Sequence, residues 1–172
     1  MPTPKINIDN ARKVAAALSA AGLSGNTLVM ALAQVAHETA GFKDSKIVTH
    51  NNASGITFAN NPKKQLNATK GNPLPESPQY NYAKFGTLND WAKDYLRIVG
   101  SSLKKSTDSA QYALRLANQK YYEVSTRYPK AVENYTKGLN YWSDLITKSN
   151  LKPATKILPI ILVIGALFLL LR

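Results

Sequence analysis

Ala31-Leu-Ala-Gln-Val-Ala-His-Glu38-Thr-Ala-Gly41 is the stretch of sequence on which the prediction of the fold depends. Apolar residues recur at three- and four-residue spacing from Leu28 to Val35, which predicts a helix with one buried face. Glycine commonly ends a helix, so Gly41 is expected to stop this one. Glu38 then lies in the last turn of a helix that is otherwise built from apolar and small residues.

Helices are also predicted on both sides of this stretch, because the same spacing returns there and each run follows a residue that can cap or open a helix. The expected starts are Asn7 or Asp9, Ser24 or Asn26, Thr87 with Asp90 as its capping-box partner, Ser106 or Thr107, and Pro129. The expected buried faces of the last three helices are Leu88, Trp91, Tyr95 and Ile98; Ala110, Ala113, Leu114 and Ala117; and Val132, Tyr135, Leu139, Trp142 and Ile146.

Residues 42–86 interrupt the helical pattern. This segment is rich in asparagine and proline, which favour turns and loops over regular structure. We expect one short β-hairpin here and no larger sheet. The predicted class is therefore mainly α, or α+β, with a small irregular lobe. A long irregular segment in a compact domain usually lines a functional site.

The composition limits the classes of function. The chain has 172 residues and no cysteine, which excludes disulfides, thiol catalysis and cysteine-based metal sites. Lysine and arginine outnumber aspartate and glutamate by 22 to 10, giving a net charge of +12. Such an excess favours an anionic partner: nucleic acid, acidic lipid or an anionic cell wall. The positive residues are scattered and form no basic tail, so a charge that only maintains solubility is the alternative.

The segment ILPIILVIGALFLLL, residues 157–171, has fifteen residues without a charge. At about 1.5 Å per residue it is roughly 22 Å long, somewhat short of a hydrocarbon core of about 30 Å, but flanking Lys156 and Arg172 can reach the interface. We expect residues 1–148 to form a soluble domain, 149–156 a linker and 157–171 a single transmembrane anchor. The lysines before the anchor place the main domain on the cytoplasmic side. A buried core helix is the alternative.

Glu38 is the first candidate for chemistry. Apolar neighbours disfavour the charged form of a carboxyl group. A glycosidase needs a carboxylic acid that stays protonated near neutral pH, so that it can donate a proton to the leaving oxygen of the glycosidic bond. A solvated or salt-bridged glutamate at a helix end is the alternative, and position alone favours it.

Short motifs around and after Glu38 resemble a known family. They are, in order, residues 31–41, Asn51-Asn-Ala-Ser-Gly-Ile56, Tyr82-Ala-Lys-Phe85, Lys120-Tyr-Tyr122 and Tyr128-Pro-Lys-Ala131. This series is similar to that of the glucosaminidase family of peptidoglycan hydrolases, which includes flagellar rod-associated hydrolases and autolysins.

The resemblance implies a lysozyme-like helical domain in which Glu38 is the catalytic acid. It also implies that Asn52 and Gly55 belong to a substrate-binding segment. The chain departs from the family pattern at Thr39, where serine is usual, and at Ala53, Ser54 and Thr57 in the second motif. A related lytic transglycosylase, which uses a single glutamate in a similar fold, therefore stays open.

A second carboxylate is needed if water is to be activated by the protein. Hydrolysing glycosidases place it about 5 to 9.5 Å from the acid. The irregular segment offers Asp44 and Glu76, and the spacing implied by the resemblance favours Glu76 as the second catalytic residue. A solvated loop acid is the alternative at Glu76. If neither carboxylate serves, the sugar's own acetamido or hydroxyl group takes that role.

Aromatic residues are candidates for a sugar-binding groove, since flat rings stack on the apolar faces of sugars. The candidates are Tyr80, Tyr82, Phe85, Tyr121 and Tyr122. Of these, Tyr82, Phe85 and Tyr122 are expected to bind substrate, and a place in the core is the alternative for each. His37 and His50 lack metal-ligand spacing, so neither a metal nor another cofactor is expected.

The predicted function is cleavage of β-1,4 bonds between N-acetylglucosamine and N-acetylmuramic acid in peptidoglycan, by a glycoside hydrolase or a lytic transglycosylase. A membrane anchor without an apolar secretory signal suits a protein of the internal membrane of a phage virion, beside other virion proteins. The alternative is a catalytically inactive lysozyme-like protein that binds the wall or has a structural role. A nucleic-acid binder ranks last, because no nucleic-acid motif is recognisable.

Overall fold

The computed structural model describes residues 5–59, 61, 65–122 and 130–151, and these residues form a mixed α+β structure. Within them the elements are α1 (Ile8–Ala20), α2 (Gly25–Glu38), α3 (Lys46–Thr49), β1 (Ala68–Leu74), β2 (Ser77–Phe85), α4 (Leu88–Lys104), α5 (Ser109–Asn118) and α6 (Ala131–Lys148). The predicted α+β class is confirmed at this level.

Helix α2 lies in the middle of the core. It packs against α1, α4 and α6, and residues 30–36 are all buried. A helix without a polar face must be surrounded by other elements, which explains its central place. Its partner α6 buries Tyr135, Leu139, Trp142 and Ile146, so the buried face predicted for this helix is confirmed except at Val132, which is half-buried.

Side-chain caps set the starts of α1 and α4 as predicted. The Asn7 side chain accepts a hydrogen bond from the Asn10 amide at 3.2 Å, and the Thr87 hydroxyl accepts one from the Asp90 amide at 3.1 Å. Each bond satisfies one of the backbone N–H groups that a helix leaves free at its start. These two predicted caps are therefore confirmed.

Helix α5 differs from its prediction in start and in buried face. The Asp108 carboxylate accepts a hydrogen bond from the Gln111 amide at 2.8 Å, so the helix begins later than expected from Ser106 or Thr107. The buried residues are Tyr112, Ala113 and Leu116, and Leu114 is 51% exposed. The prediction followed alanine spacing, whereas the larger side chains decide which face packs against α6.

The irregular segment contains one antiparallel hairpin, as predicted, plus the short helix α3 and connecting loops. The strands pair from Ala68 with Phe85 to Leu74 with Ser77, with the register shifting beyond Lys70. Backbone bonds attach β2 to the rest of the lobe, including the Phe85 amide to the His50 carbonyl at 2.8 Å. The hairpin and the loops before it thus form one lobe beside the helices.

None of the described helices is long and apolar enough to cross a membrane. The predicted anchor at 157–171 lies outside the described residues, as do Pro129 and most of the predicted linker. Leu151, at the start of that linker, is buried in the core.

Candidate active site

A tight turn directly follows Glu38. Ala40, Gly41 and Phe42 have φ angles of 49°, 82° and 64°, a left-handed conformation that costs energy for residues other than glycine. Side-chain bonds hold the turn: the Thr39 hydroxyl accepts a hydrogen bond from the Phe42 amide at 3.1 Å, and the Asn10 amide group donates to the Phe42 carbonyl at 2.9 Å. Strain held by surrounding bonds in this way is typical of functional sites.

Asn52 holds the loop that faces this turn. Its side chain is fully buried, accepts a hydrogen bond from the Ile56 amide at 2.9 Å, and donates to the carbonyls of Ile56 and Ala83 at 2.8 and 2.9 Å. These bonds are all internal, so they explain Asn52 as a residue that holds the loop, and its contact with substrate stays a prediction. Asn52 fixes the position of Gly55, which has a φ of 65°.

A cleft of about 390 Å³ lies between the end of α2, this loop and α4. The residues that line it are Glu38, Ser54, Gly55, Ile56, Thr57, Ala59, Gln65, Arg97, Ile98 and Tyr121. The structure therefore brings Glu38 and Gly55 together, as the sequence predicted, across the boundary between the helices and the hairpin lobe. Among these described lining residues, Glu38 is the only carboxylate.

Glu38 is held by one hydrogen bond and remains open to the cleft. Its Oε1 atom accepts a hydrogen bond from the Tyr135 hydroxyl at 2.6 Å. The residue is exposed, which corrects the expectation that apolar neighbours shelter it. The apolar residues of α2 face the core, whereas the last turn projects Glu38 toward the space between helices and lobe.

Tyr122 packs against Tyr135, the residue that donates the hydrogen bond to Glu38. Its ring stacks on that of Tyr135 with centroids 4.2 Å apart, and its hydroxyl donates to the Ala113 carbonyl at 2.9 Å. The His37 ring packs edge-on against the Tyr135 ring, with centroids 4.8 Å apart. Tyr122, predicted to bind sugar, is thus engaged in positioning Tyr135.

A cluster of tyrosines lies next to Glu38 around the buried Gln34 side chain. The hydroxyls of Tyr95 and Tyr112 both donate to Gln34 Oε1, the first at 2.5 Å. Burial raises the pKa of Tyr112 and of Tyr121 above the usual value, and the negative charge of Glu38 raises both further. These hydroxyls therefore stay protonated and can act as hydrogen-bond donors around the site.

Burial raises the pKa of Tyr95 and of Tyr135 as well, with the Glu38 charge adding to the effect at Tyr135. The sequence predicts Tyr95 and Tyr135 as core residues, and it places Gln34 on the same helix face as Glu38 without giving it a role. A signal was present, because Gln34 and Glu38 are four residues apart and therefore share one helix face.

Arg97 and its partners form another wall of the cleft. Arg97 Nε donates to Asp94 Oδ1 at 2.6 Å, and the second carboxylate oxygen of Asp94 accepts from Gln65 Nε2 at 3.2 Å. Gln65 also donates to the Thr57 carbonyl at 2.8 Å and accepts from the Ala59 amide at 2.7 Å. The network ties α4 to the loop that follows Gly55.

The remaining predicted carboxylates do not reach the cleft. Glu76 lies exposed in the turn between β1 and β2 and is not a lining residue, so its predicted catalytic role has no support in this geometry. Asp44 pairs with Lys46 at 2.7 Å.

The two other predicted aromatics differ in their surroundings. Phe85 is 2% exposed and belongs to the core, which corrects its predicted role in sugar binding. Tyr82 is half-buried beside Gly55, where an added Cβ atom would lie 3.8 Å from the Tyr82 ring, and the Lys46 ammonium lies 4.6 Å from the centroid of the same ring. Tyr82 therefore stays a candidate at the edge of the cleft.

Metal-ligating side chains do not gather in groups of three or more within the described part of the chain. His50 is buried against the hairpin, with Nδ1 2.7 Å from the Thr49 hydroxyl and Nε2 accepting from the Asn72 amide at 3.4 Å. His50 therefore has a structural role.

Comparison with known proteins yields one likeness in fold. Neither a protein-family model nor a curated protein sequence matches the chain. A solved structure, a chain of a type VI secretion system effector–immunity complex from Pseudomonas protegens, is similar with a TM-score of 0.50 and 16% sequence identity. The match covers 80% of this chain and 93% of that one, and at this identity it indicates a shared fold alone.

These findings overturn the assignment to the glucosaminidase family. The similar structure is a secretion-effector complex, and no family model recognises the motifs on which the resemblance rested. Two of those motif residues, Asn52 and Phe85, are explained by folding, since one holds a loop and the other fills the core. At these two positions the motif residues therefore have a role in folding.

Proposed function

We propose that this chain is a glycosidase that cleaves β-1,4 bonds between N-acetylglucosamine and N-acetylmuramic acid in peptidoglycan, with Glu38 as the proton donor. The observation that carries the proposal is the position of Glu38, which projects into a cleft between the helices and the hairpin lobe and is held there by Tyr135. A lysozyme-like character of the fold belongs to the proposal. The net charge of +12 suits a polyanionic wall.

The geometry favours a mechanism with one protein carboxylate. Asp94 is buried and bonded to Arg97 and Gln65, and Glu76 is not among the residues that line the cleft. Glu38 protonates the glycosidic oxygen as the C1–O bond breaks, and the resulting carboxylate then takes the proton from the group that attacks C1. That group is the 6-hydroxyl of the same sugar, giving an anhydro product, or water after the acetamido oxygen has first closed on C1.

The decisive experiment is Glu38→Gln, which keeps the shape of the side chain and removes the acid. We expect wild-type protein to clear peptidoglycan in a zymogram and the variant to lose at least a hundredfold in rate, while its circular dichroism is unchanged. Glu76→Gln is the matched control and should retain activity. Mass spectrometry of the digested strands separates anhydro from reducing ends.

A wall-binding protein without activity is the second candidate, because Glu38 is exposed to solvent. In that case wild-type protein and Glu38→Gln bind insoluble sacculi equally, and neither releases soluble fragments. Sedimentation with sacculi, followed by analysis of the supernatant, distinguishes the two functions.

Membrane attachment and a place in the internal membrane of a phage virion are also proposals. They rest on the apolar residues 157–171. Flotation with liposomes of the full chain, compared with a chain shortened after residue 151, tests attachment. Detection of the protein in purified virions tests the location.

A further inference from the structure

We propose that Arg97 recognises a carboxylate of the substrate, so that the cleft selects an anionic aminosugar polymer over a neutral one. This inference rests on the proposed function and adds the chemical class that the site distinguishes. It depends on three features: where Arg97 lies, what holds it, and which of its donors remain.

Arg97 and Glu38 line the same cleft. The Arg97 side chain is 45% exposed, whereas its partner Asp94 is 2% exposed. Only Nε is bonded to Asp94, at 2.6 Å, and Arg97 has no other ion pair within the described residues. The terminal N–H groups of the guanidinium fork are therefore available to a ligand in the cleft.

Asp94 and Gln65 fix the orientation of Arg97. Asp94 is held by Gln65, which is 3% exposed and is itself bonded to the Thr57 carbonyl and the Ala59 amide. Burying a carboxylate costs energy, and an arginine that served only solubility would need no such support. A fork held in place loses little conformational entropy when it binds a ligand.

The chemistry of a fixed guanidinium fork favours a planar anion. Two parallel N–H groups match the two oxygens of a carboxylate, and such charge-assisted pairs are stronger than neutral hydrogen bonds. N-acetylmuramic acid carries a lactyl acid, which is free or joined to a peptide that has carboxylates of its own. A polymer of N-acetylglucosamine alone carries none. Arg97 thus explains how a cleft that contains the proton donor can select a polymer with carboxylates over one without them.

The first test modifies the substrate. Full-length Glu38→Gln protein, which binds without cleaving, is titrated with soluble peptidoglycan strands in native form and after conversion of their carboxyl groups to amides. We expect amidation to weaken binding roughly tenfold to a hundredfold. If native and amidated strands bind equally well, the inference is wrong, and this result needs no variant at Arg97.

The second test modifies the protein. Arg97→Gln should bind native strands as weakly as the parent binds amidated ones, and should lose its response to amidation. Arg97→Lys keeps the positive charge but lacks the guanidinium fork. It should therefore bind native strands more tightly than Arg97→Gln and less tightly than the parent. Arg115→Gln, on the exposed face of α5, removes the same unit of charge outside the cleft and should bind like the parent. If Arg97→Gln still discriminates, Arg97 is not the recognising group.

Strands freed of peptide by an amidase identify the source of the carboxylate. Recognition of the lactyl acid predicts tighter binding to peptide-free strands, whereas recognition of a peptide carboxylate predicts weaker binding. Failure of the proposed function gives a different pattern, in which wild-type protein binds native strands but releases no fragments from them.

Discussion

The hydrogen bond between Tyr135 and Glu38 is the contact on which the proposed chemistry depends. The Tyr135 hydroxyl holds one carboxylate oxygen of Glu38 at 2.6 Å, and the stacked ring of Tyr122 limits movement of Tyr135. A general acid must keep a defined orientation toward the leaving oxygen, so under the proposed function Tyr135 is a positioning residue.

Replacing Tyr135 by Phe keeps the stacked ring and removes this hydrogen bond. We expect kcat on peptidoglycan to fall about tenfold with little change in KM, because the acid loses orientation while the cleft keeps its shape. The split between a lowered kcat and an unchanged KM is the readout that a purely structural role would not produce. Tyr141→Phe, on the exposed side of α6, is the control and should leave both unchanged.

The junction between α2 and the lobe depends on close backbone packing at Gly41. A Cβ atom there would lie 2.9 Å from Trp142 Cη2 on α6, and the φ of 82° is unfavourable for other residues. The turn that presents Glu38 is therefore built against the helix that carries Tyr135. Both partners of the hydrogen bond between Glu38 and Tyr135 are therefore positioned by the packing of α2 on α6.

Gly41→Ala is expected to lower the free energy of unfolding by roughly 2 to 4 kcal/mol, since it adds a steric clash to backbone strain. Gly22→Ala separates the two effects. Gly22 has a φ of 100° but open space around its Cβ position, so only about 1 to 2 kcal/mol should be lost there. Urea unfolding of both variants measures the difference. Equal losses would contradict the close packing on Trp142.

The molecule as a whole buries an unusual set of tyrosine hydroxyls between its helices. The pKa values of Tyr95, Tyr112, Tyr121 and Tyr135 are all raised, in each case chiefly by burial. The unfolded chain ionises these groups near pH 10, whereas the folded chain keeps their protons to higher pH. Their contribution to stability is therefore complete below pH 10 and is lost as the pH rises beyond it.

We expect the free energy of unfolding to fall steeply above about pH 10, by up to roughly 1.4 kcal/mol per pH unit for each buried tyrosine. Urea unfolding at several alkaline pH values measures this slope. Tyr112→Phe removes one buried titrating group and should make the slope shallower. Tyr80→Phe removes an exposed hydroxyl and serves as the control. An unchanged slope in Tyr112→Phe would contradict the burial of this hydroxyl.

Local rules were enough to predict much of the fold. The caps at Asn7 and Thr87, the buried face of α6 and the single hairpin all follow from residues close together in the chain. They failed at α5, where alanine spacing did not reveal which face packs against α6. Helical periodicity gives the position of a helix more reliably than its rotation, because rotation depends on the neighbouring element.

Glu38 could be singled out from the sequence because it ends a helix of apolar and small residues just before an irregular segment, although that position alone favours a solvated glutamate. Its partners could not, because Tyr135 is 97 positions further along the chain, and Arg97 lines the cleft in an orientation that depends on Asp94 and Gln65. Sequence patterns describe neighbours within a helix or a hairpin, whereas contacts between elements depend on how their side chains pack. For the same reason only the folded chain reveals that Asn52 holds a loop.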